Sequence, residues 1–137
     1  MGCLQAQAQF ERPISWKYKL TEDTIPGQYI VEAKAILQSG WHIFTNEPGG
    51  DGLLMPTEFE LDADSSMTDI GPIELVGKVI QKEFEGVGLV NYFEQEGGFR
   101  RIVTLKEKMQ LTGTVRYQIC NDEMCLPPAE DPFIIKP

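Results

Sequence analysis

The chain is poor in everything that charge-led or membrane-led functions need. Of its 137 residues only 12 are Lys or Arg, against 21 Asp or Glu, for a formal net charge of −9. Nucleic acid and anionic membrane surfaces both select basic patches, so the balance excludes nucleic acid as a partner class and otherwise speaks for solubility. No run of about 18 apolar residues occurs, so the chain as given does not span a membrane, although a parent protein carrying it could be membrane-embedded. Internal repeats, low-complexity segments and a convincing amphipathic helix are all missing. There is one histidine and there are three cysteines. Cys120, Cys125 and His42 would supply three metal ligands, but no second cysteine pair exists to close a tetrahedron. Asp122 and Glu123 oppose an activated thiolate, which argues against Cys–His hydrolysis. Neither a metal nor a cofactor is expected.

What is present is the patterning of a β protein. At 42% hydrophobic and 24% charged residues, the composition is that of an ordinary globular domain, and the length suits one core. Ile14, Trp16, Tyr18 and Leu20 alternate with polar residues, as do Tyr29, Val31, Ala33, Ala35 and Leu37, and again Thr57, Phe59 and Leu61. That is the period of strands with one buried face. Pro26-Gly27 and Ser39-Gly40 punctuate the first two strands; Trp41 to Thr45 reads as a short third, and Asn46 to Gly52 as a loop. Glu74 to Ile80 is expected as one strand with a bulge at Gly77. Val90 to Glu94 and Phe99 to Leu105 read as a hairpin around Gly97-Gly98, and Phe133 to Lys136 as the last strand. Seven to nine such segments argue for an all-β antiparallel sandwich, although the count also permits a jelly roll or barrel.

Residues 1–9, MGCLQAQAQ, read as a signal-peptide remnant or a disordered N-terminus, with residues 10–137 as the folded domain. Ala6-Gln7-Ala8 has the small-residue pattern of a cleavage site. Gly2-Cys3 is alternatively the remnant of a lipoprotein signal with a lipid on Cys3. Both export readings place the mature protein where disulfides persist.

The rest of the chain reads as scaffold for Val115 to Pro128. Val115, Tyr117 and Ile119 alternate with Arg116, Gln118 and Cys120, which puts Cys120 on the polar face at a strand end. Asn121 to Glu123 make a polar turn, and Pro127-Pro128 bar a regular central strand. Cys125 thus falls across a tight turn, with its Cα within the roughly 4.4–6.8 Å reach of a disulfide. A bridge closing about six residues stabilises a fold by only about 2 kcal/mol, and its place by a polar turn leaves it open to a partner thiolate. Spacing alone leaves a structural staple and a redox pair both standing.

The run YQIC-NDEM-CLPP, taken with SWKY, GWHIF (Gly40 to Phe44), MPTEFEL (Met55 to Leu61), ELVGKV (Glu74 to Val79) and KEFEG followed by NYFE (Lys82 to Glu94), carries a resemblance over essentially the whole chain after Gln9. The chain resembles the periplasmic N-terminal domain of DsbD, the thiol:disulfide interchange protein, in its Bacteroidetes-like form; the better-known enterobacterial form has one residue more between its cysteines. The resemblance implies an immunoglobulin-like fold, a periplasmic location, and a Cys120/Cys125 pair that takes electrons from a thioredoxin-like domain. It implies delivery to oxidised periplasmic thiol proteins, cytochrome c biogenesis among the destinations. Partners would attack Cys125, with Cys120 resolving. Glu83, Phe84 and Glu85 match a cap loop whose aromatic covers the disulfide; without the resemblance, Phe84 reads as a loop residue folded onto the core. His42, Phe44 and Tyr117 are carried as site-adjacent. The competing reading is a non-catalytic immunoglobulin-like binding or adaptor module whose short disulfide pins a hairpin.

Overall fold

The computed structural model describes residues 12–137, so the readings made of Cys3 and of the cleavage pattern lie outside the described residues. The described chain is all β, in antiparallel pairs. One sheet has the order β1 (Ile14–Glu22), β2 (Gln28–Leu37), β9 (Glu96–Leu105), with β5 (Met67–Ile70) and β6 (Glu74–Val76) both pairing the far side of β9. A second has the order β12 (Ala129–Ile135), β10 (Leu111–Tyr117), β4 (Glu58–Leu61). A third runs β11 (Ile119–Cys120), β3 (His42–Gly49), β8 (Gly88–Glu94), β7 (Ile80–Phe84). Since β11 follows β10 after the single residue Gln118, the second and third sheets form one bent layer facing the first. The antiparallel sandwich expected from strand patterning is the observed fold, and it is immunoglobulin-like, as the resemblance implies.

The inward-facing residues of all three sheets meet in one core. Val31, Ala33, Phe99 and Val103 come from the first sheet, Phe59, Leu111, Val115 and Phe133 from the second, and Ile43, Phe93 and Ile119 from the third. Period-2 alternation drives this, because each strand can bury its apolar face only against another layer. Trp16 packs edge-on to Tyr117 at 5.3 Å and Tyr18 stacks on Phe133 at 4.5 Å. The Tyr18 hydroxyl donates to the Asp131 carboxylate, joining β1 to β12 at the sandwich edge.

The structure departs from the sequence expectations chiefly where the chain changes sheet. Glu74 to Ile80 is not one strand: it breaks at Gly77, whose φ of 112° is left-handed, so that β6 pairs β9 while β7 pairs β8. The hairpin around Gly97-Gly98 is likewise absent. The chain turns at Gln95, with φ 64°, and passes from the third sheet to the first. Gly97 and Gly98 lie buried within β9: a Cβ on Gly97 would fall 2.1 Å from Phe93 Cγ, whose ring sits where a side chain would be, and one on Gly98 would fall 3.2 Å from Val76 Cβ. Asn46 to Gly52 is not all loop, since β3 continues to Gly49 through an irregularity between Phe44 and Gly49. The Thr57 hydroxyl donates to the Phe44 carbonyl at 2.6 Å and so holds Phe44 in place there. Strand β5 has no clear alternation and was not expected. The last strand begins at Ala129, earlier than expected, because Pro132 is tolerated on an outer strand.

Candidate functional site

The site is built where the third sheet shows its outer face. Strand β11 pairs β3 with Cys120 opposite His42, and the chain then reverses through Asn121 to Met124. Asn121 builds the reversal: its Oδ1 accepts from the amides of Glu123 at 2.9 Å and Met124 at 2.8 Å, and its own amide donates to the Met124 carbonyl at 2.8 Å. This is the local turn chemistry for which Asn is suited. The Leu126 amide donates to the Ile119 carbonyl at 3.0 Å and Gln118 Nε2 to the Leu126 carbonyl at 3.2 Å, closing the hairpin beyond the cysteines. Cys120 and Cys125 face each other across it as a disulfide, with Cα atoms 3.9 Å apart, nearer than the expected range.

The two cysteines differ sharply in exposure. Cys125 is exposed, whereas Cys120 is only 3% exposed. The expectation that Cys120 lies on a polar face is therefore corrected. Alternation does turn it away from Ile119, but the outer face of this sheet is itself apolar. Cys120 is buried there with Phe44, Val90 and Tyr92, and Leu54, Ile80, Phe84 and Val87 pack around them.

Phe84 is on a strand, not in a loop. It ends β7, and the turn Glu85 to Val87 leads back into β8, with the Val87 amide donating to the Phe84 carbonyl at 3.0 Å. Its ring lies 6.2 Å from that of Tyr92, and Lys82 Nζ sits 5.3 Å from its centroid. Glu83 and Glu85, flanking it, are exposed. Phe84, Phe44, Leu54, Val87 and Val90 wall a depression of about 270 Å³ whose floor and lip are Cys120, Cys125, Asn121, Asp122 and His42. A cleft of about 400 Å³ over Gly97 and Gly98 is larger, but its lining residues include no cysteine or histidine.

His42 is half-buried, its ring 4.7 Å from Tyr92 and 5.8 Å from Phe44. Burial lowers its pKa from the ordinary histidine value; Glu94 and Asp122 pull it upward and Lys82 downward. Burial, with Glu94 and Asp122 nearby, pushes the Tyr92 hydroxyl up. His42 and Phe44 thus line the depression with both cysteines. Tyr117 does not: it lies on the core face beside Trp16, on the far side of the sheet. Leu54, Val87, Val90 and Tyr92 were not anticipated as site residues. The alternation of Val90, Tyr92 and Glu94 against Phe93 was the available signal, since it marks a strand with apolar residues on both faces.

A family model described as the N-terminal domain of thiol:disulfide interchange protein DsbD matches residues 15–137. No curated protein sequence matches the chain. Among solved structures, the N-terminal periplasmic domain of ScsB from Proteus mirabilis is similar with a TM-score of 0.67 at 12% identity, over 92% of this chain and 47% of that one. The chain thus spans about half the length of that structure. The reduced DsbD N-terminal domain of Neisseria meningitidis is similar with a TM-score of 0.64 at 15% identity, over 95% of this chain and 92% of that one. A third similar structure, from the same organism, is the complex between the DsbD and PilB N-terminal domains, with a TM-score of 0.52 at 11% identity over 87% and 80% of the two chains.

Proposed function

The chain belongs to the family of the N-terminal domain of thiol:disulfide interchange protein DsbD, which makes it a thiol-disulfide exchange module, and we propose that it runs in the reducing direction. It takes electrons from a thioredoxin-like domain and passes them to oxidised proteins of the periplasm, within residues 10–137 of an exported protein whose parent carries the membrane-embedded reductase. The complex of a similar domain with the PilB N-terminal domain supports a role in docking another protein domain.

The observation that carries this reading is the asymmetry of the bridge. An incoming thiolate attacks the sulfur it can reach, so the donor engages exposed Cys125, and the electron pair of the S–S bond goes to Cys120. A second donor thiolate then attacks the mixed disulfide and frees Cys125, leaving the domain reduced and the donor oxidised. On delivery the order reverses: Cys125 thiolate attacks the target disulfide, and Cys120 displaces the target from Cys125. Phe84, with Glu83 and Glu85 beside it, caps the depression and is displaced by a docking domain rather than by a small thiol.

The test is the redox equilibrium of the pair against glutathione, read by alkylation and mass, together with trapping by single-cysteine variants. The expected potential lies well above the about −300 mV below which structural bridges fall. Cys120→Ser should trap a mixed disulfide with a thioredoxin-like donor through Cys125, and Cys125→Ser should trap far less. A potential below about −300 mV once equilibrium with glutathione is reached, or equal trapping by both variants, would overturn the reading and leave a structural staple.

A further inference from the structure

Cys120, His42 and Glu94 stand in one row across three neighbouring strands. Cys120 on β11 is directly opposite His42 on β3, and His42 is directly opposite Glu94 on β8. Directly opposed residues of antiparallel strands project from the same face, with Cβ atoms about 4.5–5.5 Å apart. The burial pattern agrees, because their chain neighbours Ile119, Ile43 and Phe93 all enter the main core on the other face. The row therefore orders thiol, imidazole and carboxylate from the buried cysteine outward to the exposed Glu94.

A buried resolving cysteine needs such a neighbour. Once Cys125 is in a mixed disulfide, Cys120 is a free thiol among Phe44, Val90 and Tyr92, and apolar surroundings disfavour the thiolate that must attack. We propose that His42 is the proton acceptor that activates Cys120 for resolution, and that Glu94 is a positioning residue acting through His42. The proposal rests on the exchange reading above and adds a named group to its resolution step. In delivery, the Cys120 S–H proton passes to the imidazole, and the Cys120 electron pair forms the bond to Cys125 Sγ. The bond from Cys125 to the target breaks, and the leaving target thiolate takes the proton from the imidazolium. The target gains two electrons and the dithiol loses two.

The groups facing His42 are Tyr92 and Glu94 from β8, Lys82 from β7, Asp122 from the hairpin and Cys120 itself. Burial outweighs the two carboxylates and keeps the imidazole neutral, ready to accept a proton near pH 7.

The experiment is stopped-flow reaction of the reduced domain with an aromatic disulfide, Ellman's reagent, from pH 5 to 9. One chromophore equivalent is released when Cys125 attacks and a second when Cys120 resolves. In His42→Gln the first release should keep its rate and the second should slow at least about tenfold at pH 7, since positioned bases contribute on the order of 10²- to 10⁴-fold. The deficit should shrink as pH rises and solvent deprotonates the thiol. In Glu94→Gln, which keeps the histidine, the inflection of the second phase should move to lower pH, because Glu94 raises the imidazole pKa. A second phase in His42→Gln within twofold of wild type at every pH, or an unmoved inflection in Glu94→Gln, overturns the proposal. A wild-type domain that never gives a second release instead overturns the exchange reading itself.

Discussion

Replacing Phe84 by Ala tests whether the β7–β8 hairpin shields the disulfide or merely packs beside it. The ring is half-buried, lies 6.2 Å from Tyr92 and carries Lys82 Nζ 5.3 Å from its centroid. Fully burying an aromatic of this size stabilises by about 1.5–3 kcal/mol, so half-burial supplies about 1 kcal/mol. The aromatic pair and the exposed cation–π contact add roughly 0.5 kcal/mol each. Together they hold the closed hairpin by about 2 kcal/mol, and each 1.4 kcal/mol is a factor of ten in population. Phe84→Ala should therefore raise the open fraction up to about 30-fold. The assay is the second-order rate of reduction by glutathione under excess thiol, with acid quench, alkylation and mass. A rate increase of about 5- to 30-fold is expected, with Phe84→Leu intermediate. A rate within twofold of wild type, in a variant whose melting temperature has nonetheless fallen, would show that the ring packs without shielding and would refute the cap.

Three further outcomes follow from the packing. Gly97→Ala should destabilise the fold by about 3 kcal/mol in a urea titration, because the new Cβ would lie 2.1 Å from Phe93 Cγ inside the core; a loss under about 0.5 kcal/mol would contradict the account of that glycine. Tyr18→Phe should cost about 1.5–3 kcal/mol at pH 8, through loss of the hydrogen bond to the Asp131 carboxylate. Burial and Asp131 raise the Tyr18 pKa above the usual value near 10, so the neutral hydroxyl is favoured in the folded state. Its contribution is full below pH about 10 and is lost as pH rises through the folded pKa, so the gap between wild type and Tyr18→Phe should narrow in strong alkali. Asn121→Ala removes two hydrogen bonds that hold the cysteines face to face. At about 1 kcal/mol, this should make the bridge easier to reduce by roughly 20 mV in a glutathione titration, and an unchanged or more negative potential would count against the turn's role.

Much of this domain was legible before folding. The alternations of Ile14 to Leu20, Tyr29 to Leu37 and Thr57 to Leu61 mark strands with one buried face, and each became one, because period-2 burial is a local property of the chain. The cysteine pair across a polar turn predicted its own bridge for the same reason, since Asn121 and the prolines act within a few residues. Phe84, His42 and Phe44, singled out from the family resemblance, line one depression with both cysteines.

What failed were judgements that depend on the identity of a strand's neighbours. Gly77, Gln95 and Gln118 are places where the chain leaves one sheet for another, and a change of partner leaves no periodic trace. The Gly97-Gly98 pair looked like a turn because glycine is equally suited to turns and to close approach, and only the positions of Phe93 against Gly97 and Val76 against Gly98 distinguish the two. Cys120 read as polar-facing and Tyr117 as site-adjacent because alternation tells which residues share a face but not what covers that face. The sequence by itself determined most of the strands, their core-facing residues and the pairing of the two cysteines across a polar turn. The tertiary structure decided that one sheet is apolar on both sides, and so that one cysteine of the pair is buried beside the single histidine while the other meets solvent; that depends on contacts between distant segments.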